Sequence, residues 1–275
     1  MHSKLEKPNS RRSRHLHWFA PAATFVLIVF TWRVCVAVFH VSPAILPPPE
    51  NVAFAFARHF PALFRNAAVT FLEAILGFTV AAVFALTLAA LFAFSASSKR
   101  ALYPYAIAMK SIPLIALAPL VVAWFGGDLV SKVVLAAIIS FFPILVSASD
   151  GFRAIDPDAF DLFRSFSASR RQIFLKLQFP AALPQIFAGL KTASSFAVVG
   201  AVVAEFIGAQ AGIGLMIKSS SYYLDTDITF AAIIVAATVG LMFFGAVSFL
   251  QRMFVFWQPV ISSAESGIDS AESMA

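Results

Sequence analysis

The chain has 275 residues, 60% of them hydrophobic and only 12% charged, with a formal net charge of +6. A water-soluble domain carries about a quarter of its residues as charge, so much of this chain's surface belongs against hydrocarbon, which excludes an ordinary soluble enzyme. The cations collect at the ends of apolar runs rather than in a patch that would suit nucleic acid, and the lone cysteine, Cys35, allows neither an internal disulfide nor a thiolate metal cluster.

Several apolar runs reach the roughly 20 residues that cross a hydrocarbon core as a helix. The alternating segments of a transmembrane barrel are missing. The expected fold class is therefore all-α: a polytopic membrane protein with six transmembrane helices. Residues 1–17 read as a basic tail carrying Arg11, Arg12 and Arg14, followed by a first span over Trp18–His40. That run continues past Arg33 without a small-x-small cleavage site, so it reads as an uncleaved anchor rather than a signal peptide. Residues 41–66 form a connecting segment. It holds the stiff Leu46-Pro47-Pro48-Pro49 and then Asn51–Leu63, patterned as an interfacial helix. The core follows over 67–252, with spans at Ala67–Phe94, Ala101–Phe125, Lys132–Ser149, Ile186–Ile207 and Ile228–Leu250. The tail, 253–275, ends in Ser, Ala and acid and reads as disordered.

Orientation follows from Lys and Arg in the short loops. With the N-terminus in the cytoplasm, the inner segments hold Lys4, Lys7, the tail arginines, Lys99, Arg100, Arg153, the basic residues from Arg164 to Lys191, and Arg252. The outer segments hold only Arg58, Arg65, Lys132 and Lys218. Both termini are expected in the cytoplasm.

The inner loop over 151–185 carries the densest local signals. Asp156 suits a helix N-cap and Pro157 the first helical position; Asp158 and Asp161 follow where the helix dipole favours anions. After the break Ser167-Ala168-Ser169, the run Ser169-Arg170-Arg171-Gln172 spells a capping box. A second helix should run to Gln178 and stop at Pro180 and Pro184. A helix–turn–helix outside the membrane, mixing basic and apolar residues, suits docking to a cytosolic partner.

From Asp158 to Pro184 this loop resembles the coupling loop of binding-protein-dependent ABC importer permeases, which carries Glu-Ala-Ala-x-x-x-Gly and a later Leu-Pro stretch. The likeness extends to Lys110-Ser111-Ile112-Pro113, Trp124-Phe125-Gly126, Phe141-Phe142-Pro143, Ala204-Glu205 and Gly212-Ile213-Gly214. It covers roughly Leu46 to Arg252 and points to the nitrate, sulfonate, taurine and thiamine-pyrimidine branch. Gly200–Gly212 is closest in wording to the pyrimidine-precursor members. Two departures stand out: Asp161-Leu162-Phe163 replaces Glu-Ala-Ala, and Ser167 replaces the glycine. If that position needs positive φ, serine costs roughly 1 kcal/mol there.

What the resemblance implies is a permease subunit in a bacterial plasma membrane, working by alternating access. Its partners would be a cytosolic ATPase dimer that holds ATP and magnesium, an extracytoplasmic solute-binding protein and a second copy of the chain. Asp158, Asp161, Arg164, Ser167, Ala168, Ser169, Arg170, Arg171, Pro180 and Pro184 would form the ATPase-coupling loop.

Inside the spans, Lys110, Ser111, Pro113, Ser194, Ser195 and Glu205 are candidates for a translocation path. Each has a plainer alternative. Lys110 can snorkel, Pro113 and Pro119 can kink a span with no transport role, and Ser194 and Ser195 can serve close helix packing, as can Gly189 and Gly200. Glu205 can sit paired near an interface. Glu73 and Arg33 read as structural pairing or snorkelling.

No phosphate-cradling Gly-Lys-Ser/Thr triplet, metal-spaced histidines or Gly-x-Ser-x-Gly elbow occurs. No cofactor, catalytic residue or metal site is therefore expected in this chain. A gradient-driven secondary transporter is the rival reading, but it would leave the loop unexplained and calls for midplane acids in repeated halves. A lipid-modifying membrane enzyme would need clustered nucleophiles at an interface.

Overall fold

The structure is a computed structural model that describes residues 10–110 and 112–257. Among the described residues all regular structure is helical. The order is α1 (Ser10–Val38), α2 (Pro49–Arg58), α3 (Phe60–Phe94), α4 (Ala96–Lys110), α5 (Leu114–Phe125) and α6 (Leu129–Gly151). Then come α7 (Pro157–Ser165), α8 (Arg170–Ile173), a π-helical turn (Phe174–Gln178), α9 (Phe179–Gly208), α10 (Ile213–Tyr222) and α11 (Thr226–Phe254).

Among the described residues, five stretches are long and apolar enough to cross a membrane: Pro21–Val38, Phe60–Phe94, Leu129–Gly151, Arg170–Gly208 and Thr226–Phe254. The predicted third span is not one helix. It is divided into α4 and α5, with Pro113 in extended conformation (φ −62°, ψ 117°) capping α5. Pro113 lacks an N–H, and it biases the residue before it away from the helical region. The chain therefore breaks where the sequence suggested only a kink. At about 18 Å, α5 alone falls short of a hydrocarbon core. Ser111 lies outside the described residues, as do 1–9 and 258–275, which include most of the predicted C-terminal tail.

The other boundaries shift outward. Residues 10–17 of the predicted tail open α1, because no Gly or Pro stands between Ser10 and Pro21 and arginine is a good helix former. The second span begins at Phe60 rather than Ala67, after a single-residue break at His59. The largest correction concerns Pro180 and Pro184. They do not end the second loop helix; helical structure runs from Arg170 to Gly208 without interruption. The reason is the π-helical turn, in which the Phe179 N–H donates to the Phe174 carbonyl. Widening the helix just before Pro180 moves aside the carbonyls that a proline ring would meet in a regular helix.

The chain divides into two compact units. The first comprises Met1–Arg65 and Met216–Val235. Here α2 starts from extended Pro48 with Pro49 in its first turn and Glu50 at its positive end. Glu50 pairs with Arg33 of α1 at 2.9 Å, so the charge within the first apolar run has a structural partner. Trp32 meets Phe230 at a ring separation of 5.9 Å, and the Thr226 hydroxyl donates to the Pro43 carbonyl at 2.6 Å.

The second unit comprises Asn66–Leu215 and Ala236–Ala275. Its centre is α6 lying along α9. Small residues make that approach possible: a Cβ on Gly200 would reach the Ala136 backbone at 2.7 Å, and one on Gly189 the Ser147 Cβ at 2.6 Å. Ile144, Leu145, Ala148, Ala182 and Ala193 fill the interior between α3, α6 and α9. Both Gly189 and Gly200 thus serve close packing.

Candidate functional site

The loop between α6 and α9 is built from its own sequence upward. The Asp156 carboxylate accepts from the Asp158 N–H at 3.0 Å, and Pro157 is the first residue of α7. The helix ends in paired reverse bonds: the Ser167 N–H donates to the Arg164 carbonyl at 2.9 Å and the Ala168 N–H to the Phe163 carbonyl at 3.1 Å. This closure needs a left-handed residue, and Ser167 has φ 55°. The serine that stands where the resemblance has glycine therefore meets the condition of positive φ, which is strained for serine. Two residues on, at Ser169, the capping box is complete. The Ser169 hydroxyl accepts from the Gln172 N–H at 3.3 Å, and the Gln172 side chain accepts from the Ser169 N–H at 2.8 Å.

The outward face carries Asp158, Asp161, Arg164, Arg170 and Arg171, all exposed. Leu162 and Phe166, one helical turn apart, are 56% and 77% exposed. With Phe163, Ala168, Gln172 and Lys176 they line a groove of about 340 Å³. The inward face is anchored by Phe174, whose ring meets Phe94 at 4.6 Å and Phe152 at 5.3 Å. Pro180 and Pro184 stand within the first turns of α9. The helix that begins at Arg170 therefore continues from the loop directly into the shaft of α9.

The second candidate is a buried polar cluster where α9 gives way to α10. Glu205 is fully buried. Its carboxylate accepts from the Thr70 hydroxyl at 2.7 Å and from the Gly214 N–H. The Thr70 oxygen in turn accepts from the Ile213 N–H at 2.9 Å, and the Asn66 side-chain carbonyl accepts from the Gly212 N–H at 2.8 Å. The N–H groups of Gly212, Ile213 and Gly214, which open α10 and would otherwise be orphaned, are all taken by side chains of α3 and α9. Gly212 has φ +119°, and a Cβ there would fall onto the Glu205 carboxylate. The signature Gly212-Ile213-Gly214 is therefore required by both conformation and space.

Glu73 lies one turn beyond Thr70 on α3, and its carboxyl group adjoins that of Glu205. One Glu73 oxygen, Oε2, is buried without a hydrogen-bond partner. Lys132, predicted as an outer-loop cation, is instead 5% exposed at the start of α6. Its ammonium donates to the Gly127 carbonyl, and its charge acts on both carboxyl groups.

Sequence reasoning singled out Glu205 and Glu73 separately and missed Asn66, Thr70 and Lys132. The signal available was spacing: Asn66, Thr70 and Glu73 share one helical face. The remaining path candidates are not drawn together. Ser194 is buried and donates to the Lys191 carbonyl of its own helix at 2.7 Å. Ser195 is half-buried, Lys110 is the last residue of α4, and Pro113 caps α5. Among the described residues no cluster of His, Cys, Asp and Glu has the makings of a metal site.

A helical unit with a capped loop standing off its longest shaft defines a class, and comparison with known proteins states which. Residues 77–255 match the family described as binding-protein-dependent transport system inner membrane component, and the chain belongs to it. Its relatives transport different things. It is 33% identical to a riboflavin transport system permease of Chloroflexus aurantiacus, over 91% of this chain and 95% of that protein. It is 30% identical to a formylaminopyrimidine transport permease of Halalkalibacterium halodurans, over 86% and 95%. It is 28% identical to a taurine transport system permease of Escherichia coli, over 89% and 94%. In fold it is similar to a chain of an inward-facing methionine ABC transporter, with TM-score 0.61 at 16% identity over 72% of this chain and 98% of the other.

Proposed function

We propose that this chain is the pore-forming subunit of an ATP-driven importer of a small solute, worked by alternating access. The observation that carries the reading is the loop between α6 and α9: an exposed, doubly capped helix pair whose second member, α8, runs on through a π-helical turn into α9, 39 helical residues from Arg170 to Gly208. The groove beside Leu162 and Phe166, flanked by Arg164, Arg170 and Arg171, would seat a cytosolic ATPase subunit. One ATPase of a dimer would grip each of two permease copies. The break between α4 and α5 supports counting that pair as the third of six spans, with both termini in the cytoplasm. The carboxylate cluster would then lie toward the outer face and hold the start of α10 against α3 and α9, as the fixed end on which the shaft pivots.

The substrate belongs to the range set by the relatives: sulfonates, taurine and nitrate on one side, thiamine-precursor pyrimidines and riboflavin on the other. Much of the choice would rest with a separate extracytoplasmic binding protein. The test is purification of the tagged chain from its native membranes in gentle detergent, with the co-purifying proteins identified. A stoichiometric ATPase, whose hydrolysis rises when the binding protein and its solute are added, is the expected result. An intact, monodisperse chain that comes down alone and is indifferent to ATP would replace this reading with a gradient-driven carrier.

A further inference from the structure

A third polar site stands apart from the coupling groove and the carboxylate cluster, where α3 and α6 end and α4 begins. A cavity of about 660 Å³ opens there between Phe92, Lys99, Arg100, Tyr103, Phe152 and Arg153. Ser149 and Gln178 complete the polar wall.

The charge is unbalanced. Among the described residues, none of the three cations forms an ion pair with a carboxylate within 4 Å. The Lys99 ammonium lies over the Tyr103 ring at 5.0 Å. Burial, and then the charge of Arg153, hold Lys99 below the ordinary lysine value, while Asp150, the acid facing it, acts in the opposite direction. Lys99 and Arg100 also occupy the first turns of α4, the end of a helix where cations are unfavourable. That end is already capped, because the Ser98 N–H donates to the Ser95 hydroxyl at 3.2 Å. These positions cost the helix stability and are not explained by it.

One group in the wall is unfinished. Ser149 is 2% exposed, and its hydroxyl has no hydrogen-bond partner. A buried hydroxyl without a partner is costly, and this one adjoins a cavity rimmed by cations. Phe92 and Phe152, each 5% exposed, supply an apolar floor. Since α3 and α6 are the apolar shafts that end here, their ends lie at the depth of lipid headgroups in a membrane.

We propose that this cavity binds the phosphate of an anionic lipid headgroup. Lys99, Arg100 and Arg153 neutralise the phosphodiester, Ser149 donates the hydrogen bond it cannot place elsewhere, and the glycerol backbone rests on Phe92 and Phe152. Basic pockets between helices at the cytoplasmic boundary are suited to such headgroups. The site would fix the α6 end, and with it the root of the coupling loop, to lipid, independently of which solute is carried.

The test is native mass spectrometry of the full chain, released from detergent after exposure to phosphatidylglycerol or to phosphatidylcholine. The chain should retain one phosphatidylglycerol in preference to phosphatidylcholine. Each cation facing the headgroup is worth roughly fivefold in affinity, so Lys99→Ala with Arg153→Ala should lower retention about twentyfold. Ser149→Ala should lower it less, and Arg252→Ala, outside the cavity, not at all. Equal retention by the wild type and a monodisperse double variant would overturn the proposal. Inorganic phosphate that displaces the lipid from the wild type confirms the anion site and its chemistry. Phosphate that binds in a Lys99- and Arg153-dependent way while phosphatidylglycerol does not would keep the anion site but remove the lipid.

Discussion

The loop of α7 and α8 and the cluster around Glu205 are both held by hydrogen bonds that satisfy helix ends, yet they are opposites in range. In the loop every such bond closes within a few residues: Asp156 to Asp158, Ser167 to Arg164, Ser169 to Gln172. The cluster reaches across the chain, with Asn66 and Thr70 capping a helix that begins at Ile213. The loop is exposed to water, so losing one of its bonds merely returns a group to solvent. The cluster is buried, so each lost partner leaves a group with nowhere to go. An exposed loop can tolerate change, whereas a buried polar cluster cannot.

Substitutions should divide along that line. Glu205→Ala removes the buried acceptor for the Thr70 hydroxyl and the Gly214 N–H. A loss of about 3–5 kcal/mol is expected, read as a large fall in detergent unfolding temperature together with altered uptake. Thr70→Val keeps the shape but orphans the Ile213 N–H and one Glu205 oxygen. It should cost about 2 kcal/mol, while Thr70→Ser costs far less. If Thr70→Val were as stable as the wild type, the cluster would not be the fixed point described here.

The loop should respond differently. Arg171→Glu with Ser169→Pro removes the capping box and reverses an exposed charge, at a cost of about 1 kcal/mol. Ser169 has φ −67°, which proline accepts. Membrane insertion and folding should be intact while ATP-driven uptake is lost; undiminished uptake would sink the coupling role. The smallest effect is a gain. Ser167→Gly relieves a left-handed serine and should stabilise the end of α7 by about 0.5–1 kcal/mol, seen as slower amide exchange over residues 157–168.

The parts legible in the sequence were those whose causes are local. Asp156-Pro157 and Ser169-x-x-Gln172 could be read directly, because an N-cap and its partner lie within one turn of chain. The resemblance raised positive φ at position 167 only as a condition; the structure meets it, and the hydrogen bonds to the Arg164 and Phe163 carbonyls give the cause. Pro180 was misread for a physical reason. A proline ends a regular helix, but a π-helical turn ahead of it removes the clash, and no residue type announces that turn. Conversely, Pro113 was expected to bend a helix that it actually divides.

By itself the sequence determined that the chain is helical and largely lipid-facing, where its two loop helices start, and which family it resembles. Those properties follow from hydropathy and from bonds between near neighbours, both written along the chain. Only the tertiary structure decided that Asn66, Thr70, Glu73, Lys132 and Glu205 form one cluster, and that Lys99, Arg100 and Arg153 surround a common cavity. Each of those depends on which helix faces meet, and that is fixed by the close approach of α6 to α9 at Gly189 and Gly200 rather than by any local rule.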